Sequence, residues 1–368
     1  MKIGVLTSSR ADYGIYLPLL QSLKEDDFFK LELIAFGTHL SKFHGYTIDN
    51  IIADKYKTIH EINVLLTDDS RQGIAKSYAL TAMRFSDFWE DNSYDLVLCL
   101  GDRFEMSAAV QAGIPFEVKF AHLHGGETTL GAIDNTYRHQ ICLASVLHFT
   151  SAQVHSDKIA RLLDETKNIH TVGALSLDEI GHFKPSPKDV FYEKYSLKDQ
   201  PFALVTFHPE TVSAEDNVHL VSVVKEGISQ VSNLLNLVIT MPNADTFGSV
   251  FRKAILEVKE EYPDKIMLIE NFGKINYFNA MYYASLLIGN TSSGIIEAAS
   301  FKKYVINVGN RQKGRIQSLN VINVVFDSKK ICEITKETLK LEAYKGDNVY
   351  YKNGAVKSIM NILKKIKW

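Results

Sequence analysis

The chain has 368 residues, 46% hydrophobic and 23% charged, a globular composition too long for a single core, so two domains are expected. Its net charge of -2 excludes the global positive field that gathers nucleic acid or an anionic membrane, and any anionic ligand must be met by a local pocket. Cys99, Cys142 and Cys332 fit neither a disulfide framework nor a metal knuckle, and no apolar run approaches the roughly 18 residues of a membrane span, so a reducing cytoplasm is the expected setting.

Residues 2–6 are too short an apolar run for a signal peptide, meet Arg10 and Asp12 at once, and read as a first strand. Further strands are expected at 31–36, 95–100, 118–122, 146–150 and 170–172. They alternate with amphipathic stretches, the pattern of βαβ units around a parallel sheet. At 184–200 the periodicity breaks around Pro185 and Pro187 and a charged stretch follows, which predicts a linker. A second series of strands follows at 202–207, 237–240, 265–269, 286–288, 304–307 and 321–325. The expected fold class is therefore α/β, two Rossmann-like domains (1–183 and 201–353) facing across a cleft. The closing segment 354–368 reads as a helix that must bury its apolar face, by packing back on the N-terminal domain.

Open parallel sheets take their ligands beyond the carboxyl ends of the strands. Strand 95–100 runs into Gly101-Asp102-Arg103, and strand 118–122 into His122-Leu123-His124-Gly125-Gly126-Glu127, with Asp134 close behind. Acids and imidazoles at those ends suit proton transfer. The loop Thr7 to Gly14 has the position of a phosphate loop without G-x-G-x-x-G or a P-loop lysine, which disfavours a nicotinamide dehydrogenase or a P-loop ATPase. Arg10 there suits either a bidentate phosphate clamp or a surface cap. His39 ends the next strand, as a ligand contact or a structural hydrogen bond.

In the second half, Gly289-Asn290-Thr291-Ser292-Ser293-Gly294 joins a strand to a helical pattern, a place where hydroxyls and backbone N–H groups receive phosphate. A plain N-cap would need only one such residue. Arg311, Lys313 and Arg315 follow another strand end, and His208 ends the first strand of this series. No nucleophile elbow and no H-E-x-x-H helix is present, and His122, His124 and Glu127 are loosely spaced as ligands, so neither a metal nor a cofactor is expected.

Taken in order, Ser9-Arg10-Ala11-Asp12-Tyr13-Gly14, Gly101 to Glu105, His122 to Glu127, Ala132-Ile133-Asp134-Asn135 with Arg138-His139, His208-Pro209, Gly289 to Gly294 and Val308 to Gln312 resemble the hydrolysing UDP-N-acetylglucosamine 2-epimerases. These are bacterial enzymes that supply N-acetylmannosamine for sialic acid synthesis. The resemblance implies a glycosyltransferase-B-like fold, with UDP held by the C-terminal domain and the sugar facing the N-terminal one. It also implies the reaction: loss of the C2 proton, departure of UDP to leave a glycal, and addition of water. Asp102, Glu127 and Asp134 become the acid and base candidates, and His208 a partner at the leaving group or C2. Substrate contacts carried over with them are Arg10, His39, His124, Arg138, Asn243, Asp245, Phe272, Thr291, Ser292, Ser293, Gly294, Glu297 and Arg311, with Phe272 near the uracil. The implied partner is the UDP-sugar, with no nucleic acid and no membrane, in a homodimer or tetramer.

One departure stands out. Some relatives place a carboxylate where this chain has His124, which leaves the C2 base open between Asp102 and Glu127. UDP-N-acetylglucosamine is the first expected substrate and a UDP-2,4-diacetamido-trideoxyhexose of legionaminic acid synthesis the second. A UDP-sugar glycosyltransferase would share the fold, and a non-catalytic sensor the phosphate turn, but neither needs three strand-end acids.

Overall fold

The computed structural model describes residues 1–368 except 65, 67, 69, 131, 211–216, 243–247 and 367–368, and leaves out the side chains at 44, 217 and 218. Two compact units divide the chain: Met1–Glu127, Ile133–Gly181 and Tyr350–Trp368 form the first, Thr128–Ala132 and His182–Val349 the second.

The first unit is built on strands β1 (Lys2–Thr7), β2 (Lys30–Phe36), β3 (Ile59–Ile62), β4 (Leu96–Leu100), β5 (Phe120–Leu123), β6 (Ser145–Thr150) and β7 (Ile169–Thr171). They form one parallel sheet in the order β3-β2-β1-β4-β5-β6-β7. β4 is Leu-Val-Leu-Cys-Leu and buried throughout, because helices cover both faces of a parallel sheet and leave no polar alternation. β5 begins two residues later than expected, since Glu117 (φ 55) closes a 3-10 turn in the left-handed region just before it. β3 was not expected at all. Its Ile-His-Glu-Ile is a partly exposed edge segment with neither an apolar run nor an apolar/polar alternation.

The helix Ala355–Lys365 belongs to this unit. Val356, Ile359 and Leu363 recur at helical spacing and bury against the cluster that holds Leu19, Leu20 and Leu23 of helix Arg10–Glu25. Each such side chain contributes roughly 1.5–3 kcal/mol over its exposed state, which ties the chain's end to its beginning.

The second unit carries β8 (Phe202–Thr206), β9 (Asn236–Thr240), β10 (Ile266–Ile269), β11 (Leu286–Gly289), β12 (Val305–Val308) and β13 (Val321–Val324). This sheet is also parallel, in the order β10-β9-β8-β11-β12-β13. The segment 184–200, expected as a linker, contains a helix, Lys188–Lys194, capped by Pro187. Its Phe191 is buried and stacks on Phe272 and Tyr283, so the prolines mark the start of a packed helix rather than a free tether.

Both sheets reverse their winding once, between β1 and β4 and between β8 and β11. A doubly wound sheet takes its ligand outside the carboxyl ends at that reversal. The residues that follow β1, β4, β8 and β11 stand at those reversals.

Candidate active site

Beyond β1, Asp12 organises the loop that resembled a phosphate loop. Its carboxylate accepts from Thr7 Oγ1 (2.6 Å), from Ser8 N and Oγ (2.8 and 2.9 Å) and from Ser9 N (3.1 Å), and Ser9 caps the helix Arg10–Glu25 in a reciprocal capping box. Burial alone would raise this carboxyl, but the neighbouring His39 and the ring of hydroxyl and amide donors hold it below the usual range. The amides that a phosphate would use at Ser8 and Ser9 thus point at Asp12. His39, expected among the ligand contacts, is wholly buried with one ring nitrogen on Thr7 Oγ1 (2.9 Å) and the other on Thr47 Oγ1 (2.8 Å). Both of its ring nitrogens are thus engaged by threonine hydroxyls of its own unit. Arg10 is half-buried at the first residue of the helix.

Beyond β4, Asp102 forms an ion pair with Arg138, which projects from helix Asp134–Ala144. Arg138 is 1% exposed and also donates to the Glu127 carbonyl at 3.1 Å. Asp134 lies one turn before Arg138 in the same helix and is half-buried. Asp102, Asp134 and Glu127 are thereby brought around one guanidinium-bearing helix.

Beyond β5, the chain enters the left-handed region at His124 (φ 62) and again at Gly126 (φ 74). A Cβ at Gly126 would lie 2.3 Å from the His155 carbonyl oxygen, so this glycine lets the loop pass against helix Gln153–Leu163 and turns Glu127 inward. Glu127 is 2% exposed. Its Oε1 sits 2.9 Å from His124 Nδ1 and accepts from Ser151 Oγ at 2.9 Å, and Ser151 Oγ lies 3.0 Å from His155 Nδ1. Ser151 and His155 escaped the sequence reading, although Ser151 stands directly after β6, where the strand-end rule applies equally well.

His122 lies deeper, in register between Cys99 on β4 and His148 on β6. Among the described residues, His122, Cys142 and His148 are the group with donor atoms close enough for a metal, all within 4.8 Å of one another. Burial pushes the Cys142 thiol up to about 11, and the His122 and His148 imidazoles down to about 3 and about 4. His122 Nε2 lies 2.8 Å from the Gly101 carbonyl and Nδ1 3.3 Å from Cys142 Sγ. Among the described residues neither ring nitrogen of His148 has a hydrogen-bond partner, whereas His122 is engaged on both sides.

In the second unit, Asn290 follows β11 and is fully buried. Its side chain clamps the backbone of His208, accepting from His208 N at 2.7 Å and donating to His208 O at 2.8 Å. Its own carbonyl accepts from Gln312 Nε2 (2.8 Å) and Arg311 Nη1 (3.4 Å). Glu210, 7% exposed, accepts from the amides of Asn310 and Arg311 through one oxygen at 2.5 and 3.0 Å. These two side chains, both missed in the sequence, draw the ends of β8, β11 and β12 together. Gly289 (φ 138) is required there, because a Cβ would fall 1.8 Å from the Thr206 carbonyl oxygen.

Thr291 caps the short helix Ser292–Ile296 by accepting from Ser293 N, and Ser293 Oγ donates to Glu297 at 2.6 Å. Gly294 is buried, and a Cβ there would crowd Val305 at 3.0 Å. Thr206, Tyr277, Gly289 and Thr291 line a small hollow at this strand end. Loss of water around Tyr277 pushes its phenol up to about 12, with the Glu297 charge adding to the shift. Phe272, expected near the uracil, is 5% exposed and packed among Phe191, Tyr195 and Tyr277. Its faces are occupied by its own unit. Asn243 and Asp245 lie outside the described residues.

Two doubly wound parallel sheets with their polar groups gathered at the switch points define an α/β protein of the glycosyltransferase-B-like type. The sequence profile of the UDP-N-acetylglucosamine 2-epimerase family matches residues 21–364, and the chain belongs to that family. It is 33% identical over 351 residues to the UDP-N,N'-diacetylbacillosamine 2-epimerase (hydrolyzing) of Legionella pneumophila, covering 95% of this chain and 92% of that one. It is 30% identical over 367 residues to the polysialic acid biosynthesis protein P7 of Escherichia coli, covering 99% and 93%. The crystal structure of UDP-GlcNAc 2-epimerase from Neisseria meningitidis bound to UDP-GlcNAc superposes with a TM-score of 0.81 over 100% of both chains at 16% identity, a likeness of fold. Among the described residues no helix is long and apolar enough to cross a membrane.

Proposed function

We propose that this chain is a hydrolysing 2-epimerase that converts UDP-N-acetylglucosamine and water to N-acetylmannosamine and UDP. The observation that carries this reading is the set of ionisable groups at the first switch point: Asp102 on Arg138, and Glu127 buried between His124 and Ser151. A glycosyltransferase of this fold must bind an acceptor. Moving a proton on and off carbon needs positioned acids and bases instead. In this reading the first unit handles C2: a base takes its proton, the C–H electrons form the C1=C2 bond, and the C1–O bond breaks with its electron pair leaving on UDP. Water then adds to the glycal with a proton returned to C2 on the opposite face. Asp102, Glu127 and Asp134 are the candidates for the acid and base roles. The second unit holds the diphosphate through Thr291, Ser292 and Ser293 with Arg311, donors that strengthen as charge develops on the leaving oxygen. The absence of any cofactor requirement follows from this chemistry, and the enzyme acts as a homo-oligomer in the cytoplasm.

A second substrate is supported by the name of the Legionella relative, UDP-2,4-diacetamido-2,4,6-trideoxyglucose, whereas that of the Escherichia coli relative supports a role in sialic acid supply. The two sugars differ at C4 and C6 and share the reacting C1 and C2. Incubation of the purified protein with each should release free UDP and a reducing 2-epimeric sugar from one of them. Release of UDP from neither would sink the reading, and a product still carrying UDP would redirect it to non-hydrolysing epimerisation.

A further inference from the structure

We propose that the base at C2 is the His124 imidazole acting through Nε2, with Glu127 as its positioning residue rather than the base itself. The proposal rests on the epimerase reading above and names the group that reading left open. Glu127 Oε1 faces His124 Nδ1 at 2.9 Å and accepts the Ser151 hydroxyl at 2.9 Å. Ser151 has a single hydroxyl hydrogen, so its oxygen accepts from His155 Nδ1 at 3.0 Å, and the four side chains form a directed chain ending on the carboxylate. Two cations lie on the Glu127 backbone oxygen, Arg138 Nη1 at 3.1 Å and Lys158 Nζ at 3.4 Å.

An ionised Glu127 can only accept, so Nδ1 of His124 carries the hydrogen and Nε2 is left with its lone pair. Among the described residues Nε2 has no hydrogen-bond partner, although it is covered. A covered ring nitrogen without a partner is unfavourable in a resting protein and calls for an explanation. So does a non-glycine residue in the left-handed region at a strand end (φ 62), where backbone strain marks functional positions. Both are explained if that nitrogen is aimed at a proton it will receive. Glu127 fits the base role less well: it is 2% exposed against 8% for His124, and its Oε1 is already held by two side chains. Asp102 is already engaged in an ion pair with the Arg138 guanidinium. In the step, Nε2 bonds to the C2 proton, the C–H pair becomes the C1=C2 bond, the C1–O pair leaves with UDP, and the imidazolium is stabilised by Glu127. An imidazole thus stands where some relatives have a carboxylate, and the carboxylate three residues on becomes its partner.

The test compares wild type, His124→Gln, Glu127→Gln and the double variant on whichever UDP-sugar the wild type hydrolyses, reading UDP release in a single turnover and substrate affinity by calorimetry. His124→Gln should release UDP about 10³-fold more slowly with affinity nearly unchanged, in the range expected for loss of a general base. Glu127→Gln should lose less. The double variant should be no slower than His124→Gln, because the carboxylate acts only through the imidazole. A His124→Gln enzyme that keeps more than about a tenth of the wild-type rate, or a double variant slower by the product of the two single losses, would overturn the proposal. Should a variant fail to fold, ¹⁵N-histidine spectra of the wild type decide instead. They should show neutral His124 as the Nδ1–H tautomer, and an Nε2–H tautomer would equally overturn it. If the wild type hydrolyses neither sugar, the epimerase reading is what fails, and the tautomer spectrum still reports on the pair.

Discussion

The two switch points are built from different materials. In the first unit the groups beyond β4 and β5 are ionisable side chains held by other ionisable side chains: Asp102 by Arg138, His124 by Glu127. In the second, Asn290 and Glu210 hold backbone, fixing His208 and the turn at Asn310 and Arg311. The first arrangement sets where charges stand and which way hydrogen bonds run. The second sets where amides and hydroxyls stand, which is what a diphosphate of fixed charge requires. Substitutions at the first should therefore change the rate of chemistry, and those at the second the affinity for UDP.

The largest separation is expected from Asp102→Asn. Removing the charge takes the Asp102 carboxylate from the buried Arg138 guanidinium and removes one of the acid and base candidates. UDP release should fall by about 10³-fold or more, while UDP affinity measured by calorimetry stays within about threefold. Near-normal turnover would take Asp102 out of the mechanism and blur the contrast between the units.

Acid should act first on the unit with the buried imidazoles. Burial holds His122 at about 3 and His148 at about 4, below the ordinary 6.5, so the unfolded chain binds more protons than the folded one as pH falls. This contribution to stability is complete above about pH 6.5 and is lost on acidification towards pH 4 and below, by a few kcal/mol. Thermal melts between pH 7 and pH 4.5 should show a falling midpoint, and His148→Leu should flatten that slope. An unchanged slope would mean that His148 protonates in place at little cost.

At the second switch point the expected effect is smaller and of another kind. Asn290→Ala strips the His208 amide and carbonyl of their partners at a buried position, costing about 3 kcal/mol of stability in denaturant titrations. UDP affinity should drop about tenfold as the turn loosens, with the rate from bound substrate little changed. A large fall in that rate with affinity intact would show that the two switch points do not divide the work as described.

How much of this was legible in the sequence follows the same division. The central strands were readable because β4, β8 and their neighbours are continuous apolar runs, and the edge strand β3 was not, because a four-residue, half-exposed segment carries no period. The strand-end rule found Asp102, His124, Glu127, His208 and the Thr291 turn, since topology alone puts them there. It could not say what each would touch. His39 stands at a strand end as squarely as His124 does, yet two threonine hydroxyls close around it, whereas Glu127 engages only one nitrogen of His124. That distinction lies in side-chain geometry between residues distant in sequence. Ser151, His155 and Asn290 were missed for the same reason.

Phe272 offers the smallest effect and the sharpest check on that lesson. An aromatic residue after β10 was expected to stack near a uracil, but its ring packs against Phe191 at 6.1 Å, nearly parallel, and against Tyr195 at 4.7 Å, edge to face. Phe272→Leu should thus cost about 1 kcal/mol from the lost aromatic contacts and a little unfilled space, visible as a lower denaturant midpoint. UDP affinity should stay within about twofold, because a ring whose faces are already covered has little left to offer a base. A drop in affinity of tenfold or more, with stability unchanged, would mean that the aromatic cluster opens to admit the nucleotide, and that the second unit holds its ligand by side-chain stacking as well as by placed backbone.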